Sequence, residues 1–236
     1  AGIATPRFVA VEPYEIADFA NYQQSILERL EKLERHPSTS SGRTERELSA
    51  AFTTEPDEVS GRAEIEYVVK PYNEGSSLGI SIVTKDNLEQ ALKKACYIES
   101  GKKKRVLVEE KITGMEFTCI VLTDYKTGKL FALPPTESIA NTEVGFFDYE
   151  QKYMPGKGIK RTPARCSAEI TERIQETCIK VMQTLEFTTM CRIDGFVTND
   201  NEIVIIDPNT FSGMAPSSYI FNQAAEINMS PAQLIN

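Results

Sequence analysis

Two short apolar runs, residues 191–197 and 203–207, flank the turn Asn199-Asp200-Asn201, and this pair constrains the fold more than any other feature of the chain. Strands joined by so short a turn must run antiparallel. A symmetric hairpin turning between residues 200 and 201 sets Asp194 opposite Asp207 and Arg192 opposite Asn209. Side chains alternate along a strand, so Arg192 and Asp194 share a face. Two carboxylates and an amide oxygen beside an arginine make an oxygen-only donor set. Mg2+ is usually held by such a set together with phosphate oxygens. The other reading is two turn-flanking aspartates with a surface ion pair.

The remaining pattern agrees with an antiparallel, α+β chain. Residues 8–11 form a strand candidate. Residues 15–35 read as one helix, with Ile16, Phe19, Tyr22, Ile26, Leu30 and Leu33 at spacings of three and four. Residues 36–44 are polar and turn-rich, and 45–52 suit a second, shorter helix. Residues 65–69 are a β-branched strand ending in Lys70-Pro71. Residues 87–99 are helical, with Leu88, Ala91, Leu92 and Ala95 on one side. Residues 106–108 are a short buried strand. Residues 117–122 and 130–133 form a hairpin turned through residues 124–129 with Gly128. The clearest helix spans 168–186, capped by Ser167, with Glu169 in its first turn and Ile170, Ile174, Cys178, Val181 and Leu185 as its stripe. A last helix is predicted over 218–227. There is no repeated βαβ unit and no internal repeat.

Composition narrows the function classes. With 26 Lys+Arg against 34 Asp+Glu the formal charge is −8, the wrong sign for a phosphate-backbone binder, so a nucleic-acid partner is not expected. No apolar run approaches the ~20 residues that span a bilayer, and no secretory segment opens the chain, so a cytoplasmic protein without a membrane partner is expected. The 5 cysteines (Cys96, Cys119, Cys166, Cys178 and Cys191) lack CxxC spacing and read as reduced thiols rather than zinc ligands or disulfides. The single histidine, His36, sits in a polar loop, a poor place for a catalytic base.

Three more stretches carry chemistry-bearing residues. Lys70-Pro71-Tyr72-Asn73-Glu74-Gly75-Ser76-Ser77-Leu78-Gly79 runs from a strand into a small-residue loop, whose amides and hydroxyls suit phosphate oxygens. It lacks the GK[ST] of a Walker A loop, and a plain turn is its other reading. Glu109-Glu110-Lys111-Ile112 follows an apolar strand, with Gly114 and Glu116 beyond, as a hinge reading an adenine ring or as a solvated strand end. Phe147-Asp148-Tyr149-Glu150-Gln151-Lys152-Tyr153 interleaves aromatic and charged residues in a loop.

In their order along the chain, these motifs, with Arg-x-Asp-x-Phe at 192–196 and Asp-x-Asn-Thr-x-x-Gly at 207–213, resemble D-alanine–D-alanine ligases of the ATP-grasp type. The opening Ala-Gly-Ile-Ala-Thr-Pro-Arg-Phe-Val resembles the start of their central domain. The resemblance is weak over 11–64 and good from residue 65 onward. It implies an ATP-grasp fold, two α+β lobes whose antiparallel sheets enclose a nucleotide. The expected division is residues 1–63 as a leading segment with a helix and a variable loop, 64–110 as the small lobe, and 111–236 as the large lobe with the metal and substrate site.

The resemblance also implies roles. Lys70 is the phosphate-contacting lysine, and Glu74, Ser76 and Ser77 belong to the loop closing over nucleotide and substrate. Glu109 meets the adenine amino group, the backbones of Glu110 and Ile112 complete the base contacts, and Glu116 holds the ribose. Lys152 reaches the phosphates and Tyr153 lines the substrate side. Asp194, Asp207 and Asn209 hold Mg2+ (or Mn2+), while Arg192 and the Gly213 amide steady the anionic centre. Ser218, with Tyr219 beside it, holds a substrate carboxylate. The implied reaction is phosphorylation of one D-alanine by ATP and attack on the acyl phosphate by the amine of a second, as in peptidoglycan synthesis, with no covalent protein nucleophile.

The chain departs from the family at several of these places. Asp207 stands where glutamate is usual, Ser212-Gly213 replaces Pro-Gly, Ala215-Pro216-Ser217 differs, and Glu110 replaces a lysine. The family's N-terminal domain, and the lysine expected just before Ala1, lie outside these residues, so a portion of a longer polypeptide is expected. The resemblance is compatible with a homodimer. Rival readings are a ligase for another amino acid or hydroxy acid, and a nucleotide-binding module without catalysis.

Overall fold

The structure, a computed structural model, describes residues 2–35, 65–75, 77–98, 102–139 and 159–235. The chain divides into two compact units, Pro6–Ile112 and Ala1–Thr5 with Thr113–Asn236. Each has its own sheet and its own core.

The Pro6–Ile112 unit is a four-stranded antiparallel sheet in the order β1-β4-β2-β3, built from β1 (Phe8–Val11), β2 (Tyr67–Pro71), β3 (Ser81–Val83) and β4 (Val106–Glu110). Alternation divides its two faces. Val9, Val11, Tyr67, Val69, Val106 and Val108 point into an apolar core. Helices cover that core: α1 (Pro13–Ala17), α2 (Phe19–Arg35) and α3 (Leu88–Cys96). They supply Ile16, Phe19, Ile26, Leu30, Leu33, Leu88, Ala91, Leu92, Ala95 and Cys96. Because β1 buries Val9 and Val11 here, the stretch expected as a separate leading segment contributes a strand and two helices to this unit.

The single helix expected over 15–35 is two. Asp18 takes φ −120° and ψ 49°, outside the helical region, and ends α1. Its carboxylate accepts from Asn21 Nδ2 at 2.9 and 3.0 Å, and its carbonyl accepts from the amides of Asn21 and Tyr22, which starts α2. Tyr22, expected in the buried stripe, lies half-exposed with its ring edge-on to Tyr14, centroids 5.6 Å apart. The helix predicted over 45–52 and His36 fall outside the described residues.

The second unit holds a sheet of six strands, ordered β10-β9-β5-β7-β8 with β6 also on β5. Its strands are β5 (Gly114–Thr123), β6 (Leu130–Ala132), β7 (Thr136–Ile139), β8 (Ile159–Arg161), β9 (Met190–Thr198) and β10 (Ile203–Asn209). One face packs Phe117, Cys119, Val121, Cys191, Ile193, Val197, Ile203 and Ile205 against α4 (Ala168–Thr184). Ser167 caps α4, its hydroxyl accepting from the Ile170 amide at 3.2 Å. The helix stops sooner than its apolar stripe suggests: Leu185 is its exposed C-cap, and Met182 fills the buried place instead. Gly195 lies under this core, where an added Cβ would stand 2.6 Å from the Val204 carbonyl oxygen and 2.8 Å from the Phe117 ring.

On the opposite face, Ile120, Leu122 and Leu133 are covered by α5 (Tyr219–Ala225), with α6 (Pro231–Ile235) beyond it. The β5–β6 hairpin turns as expected. Gly128 adopts φ +69°, its amide donates to the Asp124 carbonyl, and the Asp124 carboxylate accepts from the Lys126 amide at 2.8 Å. The Lys126 amide and the Thr127 hydroxyl hold the Asp124 carboxyl below its ordinary pKa.

Candidate functional site

The constellation read from the hairpin forms on the face of the larger sheet that α4 does not cover. Asp207 lies directly opposite Asp194, and Asn209 opposite Arg192. The route to that register differs from the symmetric turn expected from sequence. Near the turn Ile203 pairs with Val197 and Ile205 with Gly195, so an undisturbed ladder would set Asp207 against Ile193, a core residue. A bulge between Ile205 and Asp207 leaves Ile206 as the extra residue and turns Asp207 to the face of Asp194. Pro208, which cannot donate to a ladder, is tolerated because β10 is the sheet's edge.

Asp194 is the organised member of the pair. It is 7% exposed, its Oδ1 accepts from Thr118 Oγ1 at 2.8 Å, and its Oδ2 from Arg192 at 3.0 Å. Asp207 is exposed across from it. Asn209 donates its amide nitrogen to the Asp207 carbonyl at 3.2 Å, which leaves its side-chain oxygen as a ligand. This donor set fits a hard divalent cation. Among the described residues no three His, Cys, Asp or Glu side chains gather into a metal cage, so such an ion would complete its shell with phosphate or water oxygens.

The same face continues across β5, β7 and β8. Glu116 pairs with Ser138, and Ser138 with Lys160. From α5, the Tyr219 hydroxyl lies 3.2 Å from Ser138 Oγ, and Lys160 Nζ stands 4.6 Å from the centre of its ring. Burial pushes the Tyr219 phenol up to about 12, so it stays neutral at ordinary pH. Ser218 occupies the N-cap position of α5, yet its hydroxyl makes no capping bond. Gly213 comes close to it: a Cβ there would lie 3.3 Å from Ser218 Oγ. Ser212 is buried.

In the Pro6–Ile112 unit the candidate residues again lie on the sheet face away from the core. Lys70 and Glu109 sit diagonally on neighbouring strands, Nζ and Oε1 2.7 Å apart, among the half-buried Ala10, Val68 and Leu107. A carboxylate and an ammonium on an aliphatic floor can receive a flat, polar-edged ring. Glu110 has a structural task. Arg7 donates its amide to Oε1 at 3.1 Å and its guanidinium to Oε2 at 3.0 Å, while the Glu110 amide donates to the Arg7 carbonyl. The backbone contact expected of Glu110 would therefore fall to its carbonyl. Ile112 is buried at the unit's end.

Glu74, expected among the nucleotide contacts, forms an ion pair with Lys104. In the glycine loop Ser77 takes φ +60° and Gly79 φ +74°. A Cβ on Gly79 would come within 3.0 Å of Pro71, whereas Gly75 has open space. Gly79 thus answers to a turn and close packing. Ser76, Lys152 and Tyr153 lie outside the described residues.

Sequence reasoning missed Thr118, which orients Asp194, and Gln223, whose amide reaches the same strand. Thr118 was visible as the threonine after Glu116-Phe117, two residues along on the same strand face.

Comparison with known proteins agrees with this fold. The family described as D-ala D-ala ligase C-terminus matches residues 44–236. The D-alanine–D-alanine ligase of Syntrophobacter fumaroxidans is 38% identical over 172 residues, 72% of this chain and 52% of that protein. That of Halalkalibacterium halodurans is 34% identical over 170 residues, 71% of this chain and 53% of that protein. The chain thus spans about half the length of the curated relatives it matches. Among solved structures, the VanG D-Ala:D-Ser ligase from Enterococcus faecalis is similar over 99% of this chain and 55% of its own, with TM-score 0.68 and 27% identity. The Bacillus anthracis D-alanine–D-alanine ligase complexed with ATP shares the fold at TM-score 0.60 and 20% identity, over 99% of this chain and 58% of that one. The antiparallel α+β units, the ordered motifs and a family match running from residue 44 to the end have one reading: this chain belongs to the D-alanine–D-alanine ligase family, within its ATP-grasp, C-terminal part.

Proposed function

We propose that this chain is the nucleotide- and metal-handling part of an ATP-dependent ligase that joins a carboxylate to an amine, with D-alanine as substrate and D-alanyl-D-alanine for peptidoglycan as product. The observation that carries the reading is the facing pair Asp194 and Asp207, with Asn209 and Arg192 on the next rung. A Mg2+ ion held by Asp194, Asp207 and Asn209 would neutralise phosphate charge. Arg192 and the Gly213 amide then steady the anion that forms at the reacting carboxyl. The Ser218 hydroxyl, uncommitted to a cap, is suited to a substrate carboxylate. Glu109 reads the amino group of the base and Glu116 the ribose. Lys70, Ser77 and Glu74 are assigned to the nucleotide on the motif alone, as are Ser76, Lys152 and Tyr153.

A second reading keeps the mechanism and changes the amine. The VanG relative is a D-Ala:D-Ser ligase, and the 212–217 loop departs from the family pattern. The part of the curated relatives' length that this chain does not span would complete either site, and the whole enzyme works in the cytoplasm; homodimer assembly is part of the same proposal.

The test is release of ADP and phosphate from ATP and Mg2+, with and without D-alanine or D-serine, on this chain and on one extended N-terminally. D-alanine-dependent release that needs the longer chain supports the ligase. ATP binding without turnover in either chain, across a panel of amino acids, overturns it in favour of a non-catalytic module.

A further inference from the structure

Strand β5 has a gap in its ladder beside the metal-side carboxylate. It pairs with β7 as far as Thr118 and with β6 from Val121. The segment between those partners is Leu133-Pro134-Pro135. Leu133 donates to the Ile120 carbonyl at 2.8 Å, but the two prolines have no N–H to give. The Ile120 amide would be left as a buried orphan, at a cost of about 1–3 kcal/mol.

Gln223 of α5, fully buried, fills the gap. Its Oε1 accepts from the Ile120 amide at 3.0 Å. Its Nε2 donates to the Thr118 carbonyl at 2.8 Å and to Thr136 Oγ1 at 3.0 Å. Both amide hydrogens and the amide oxygen are engaged, so the side chain stands in for the missing strand and fixes its own orientation. The residue it grips by the backbone, Thr118, is the one whose hydroxyl donates to Asp194 Oδ1. Helix α5 also begins beside Ser218.

We propose that Gln223 is a positioning residue for the metal ligand Asp194, acting through Thr118, and that it ties the helix carrying the substrate-side Ser218 to the metal-side carboxylate. The inference rests on the proposed metal role of Asp194. Outer-shell partners that orient a ligand typically matter 10–100-fold in metal affinity.

The test is titration of the full chain with Mn2+ alone, following the free ion by electron paramagnetic resonance, alongside thermal melting. Gln223→Met is expected to weaken Mn2+ binding about tenfold. Gln223→Glu, which keeps the acceptor for the Ile120 amide and loses both donors, is expected to do the same if the methionine variant does not fold. Thr118→Val should weaken binding similarly, and the double variant no further than either single, because both act through one hydroxyl. A lowered melting temperature with unchanged Mn2+ affinity, or additive losses in the double variant, overturns the proposal. Asp194→Asn separates the two levels. If it leaves Mn2+ affinity intact, the metal reading fails and takes this inference with it. If it abolishes binding while the Gln223 variants do not weaken it, only the role of Gln223 falls.

Discussion

Glu137 is buried on β7, and Arg165 grips it twice, Nε on Oε2 at 2.8 Å and a terminal nitrogen on Oε1 at 2.7 Å. Those bonds hold its carboxyl below the ordinary glutamate pKa against the opposing effect of burial. Since the folded value is depressed, the pair stabilises the fold fully above the unfolded pKa and less as pH falls through the folded one. Glu137→Gln should therefore melt lower than the parent at neutral pH, and the gap should close below about pH 4. Melting curves across pH check it; a gap that widens in acid contradicts the assignment. This arrangement was not legible in the sequence, because 28 residues separate the partners and neither sits in a motif. The facing of Asp194 and Asp207 was legible in part: counting from a turn centred between residues 200 and 201 reaches it only because that centre offsets the bulge at Ile206, which no local pattern signals. Glu110 was read for its backbone, and nothing local pointed to Arg7, 103 residues earlier, as the partner of its side chain.

Among elements, the long periodic helices and the two hairpins were readable, whereas β3, β7 and β8, of three or four residues each, were not. So short a strand offers one or two alternations, too few to distinguish from a loop, and exists only because a longer neighbour supplies its ladder. The break at Asp18 hid for a related reason: apolar spacing continues through it, and a turn stabilised by Asn21 decides the matter. The cap of α4 is a local signal that the structure bears out. Ser167→Ala should cost about 1 kcal/mol, read as a lower urea midpoint with unchanged m-value; no shift would mean that the Ile170 amide finds another acceptor.

At the scale of the molecule each unit repeats one division of labour, a sheet face given wholly to apolar packing and a face that carries the candidate polar residues among apolar ones. The thiols report on the two cores separately. Cys96 is buried in the Pro6–Ile112 unit, and Cys119, Cys178 and Cys191 in the other. Burial raises the Cys96 and Cys178 thiols and takes Cys191 to about 12, so only the partly exposed Cys166 should alkylate quickly in the native protein. With rising urea, mass spectrometry should find Cys96 becoming reactive at a different concentration from the other three; one common midpoint would show a single cooperative unit.

Which face of β10 carries chemistry is set by the one residue its ladder skips, Ile206. Genes are read in triplets, and a slip of one base garbles every later word; a pleated strand is read in twos, and a slip of one residue does the same in space. Removing Ile206 takes out the skipped letter alone: Asp207 then follows Ile205 directly and still falls opposite Asp194, with Asn209 opposite Arg192. Such a deletion should keep near-parental circular dichroism and near-parental Mn2+ affinity, well above that of Asp207→Ala. Affinity as low as that of Asp207→Ala would mean that the bulge itself, and not only the register, shapes the site. For a site like this one, the spelling of the ligands is only half of the message, and the other half is the frame.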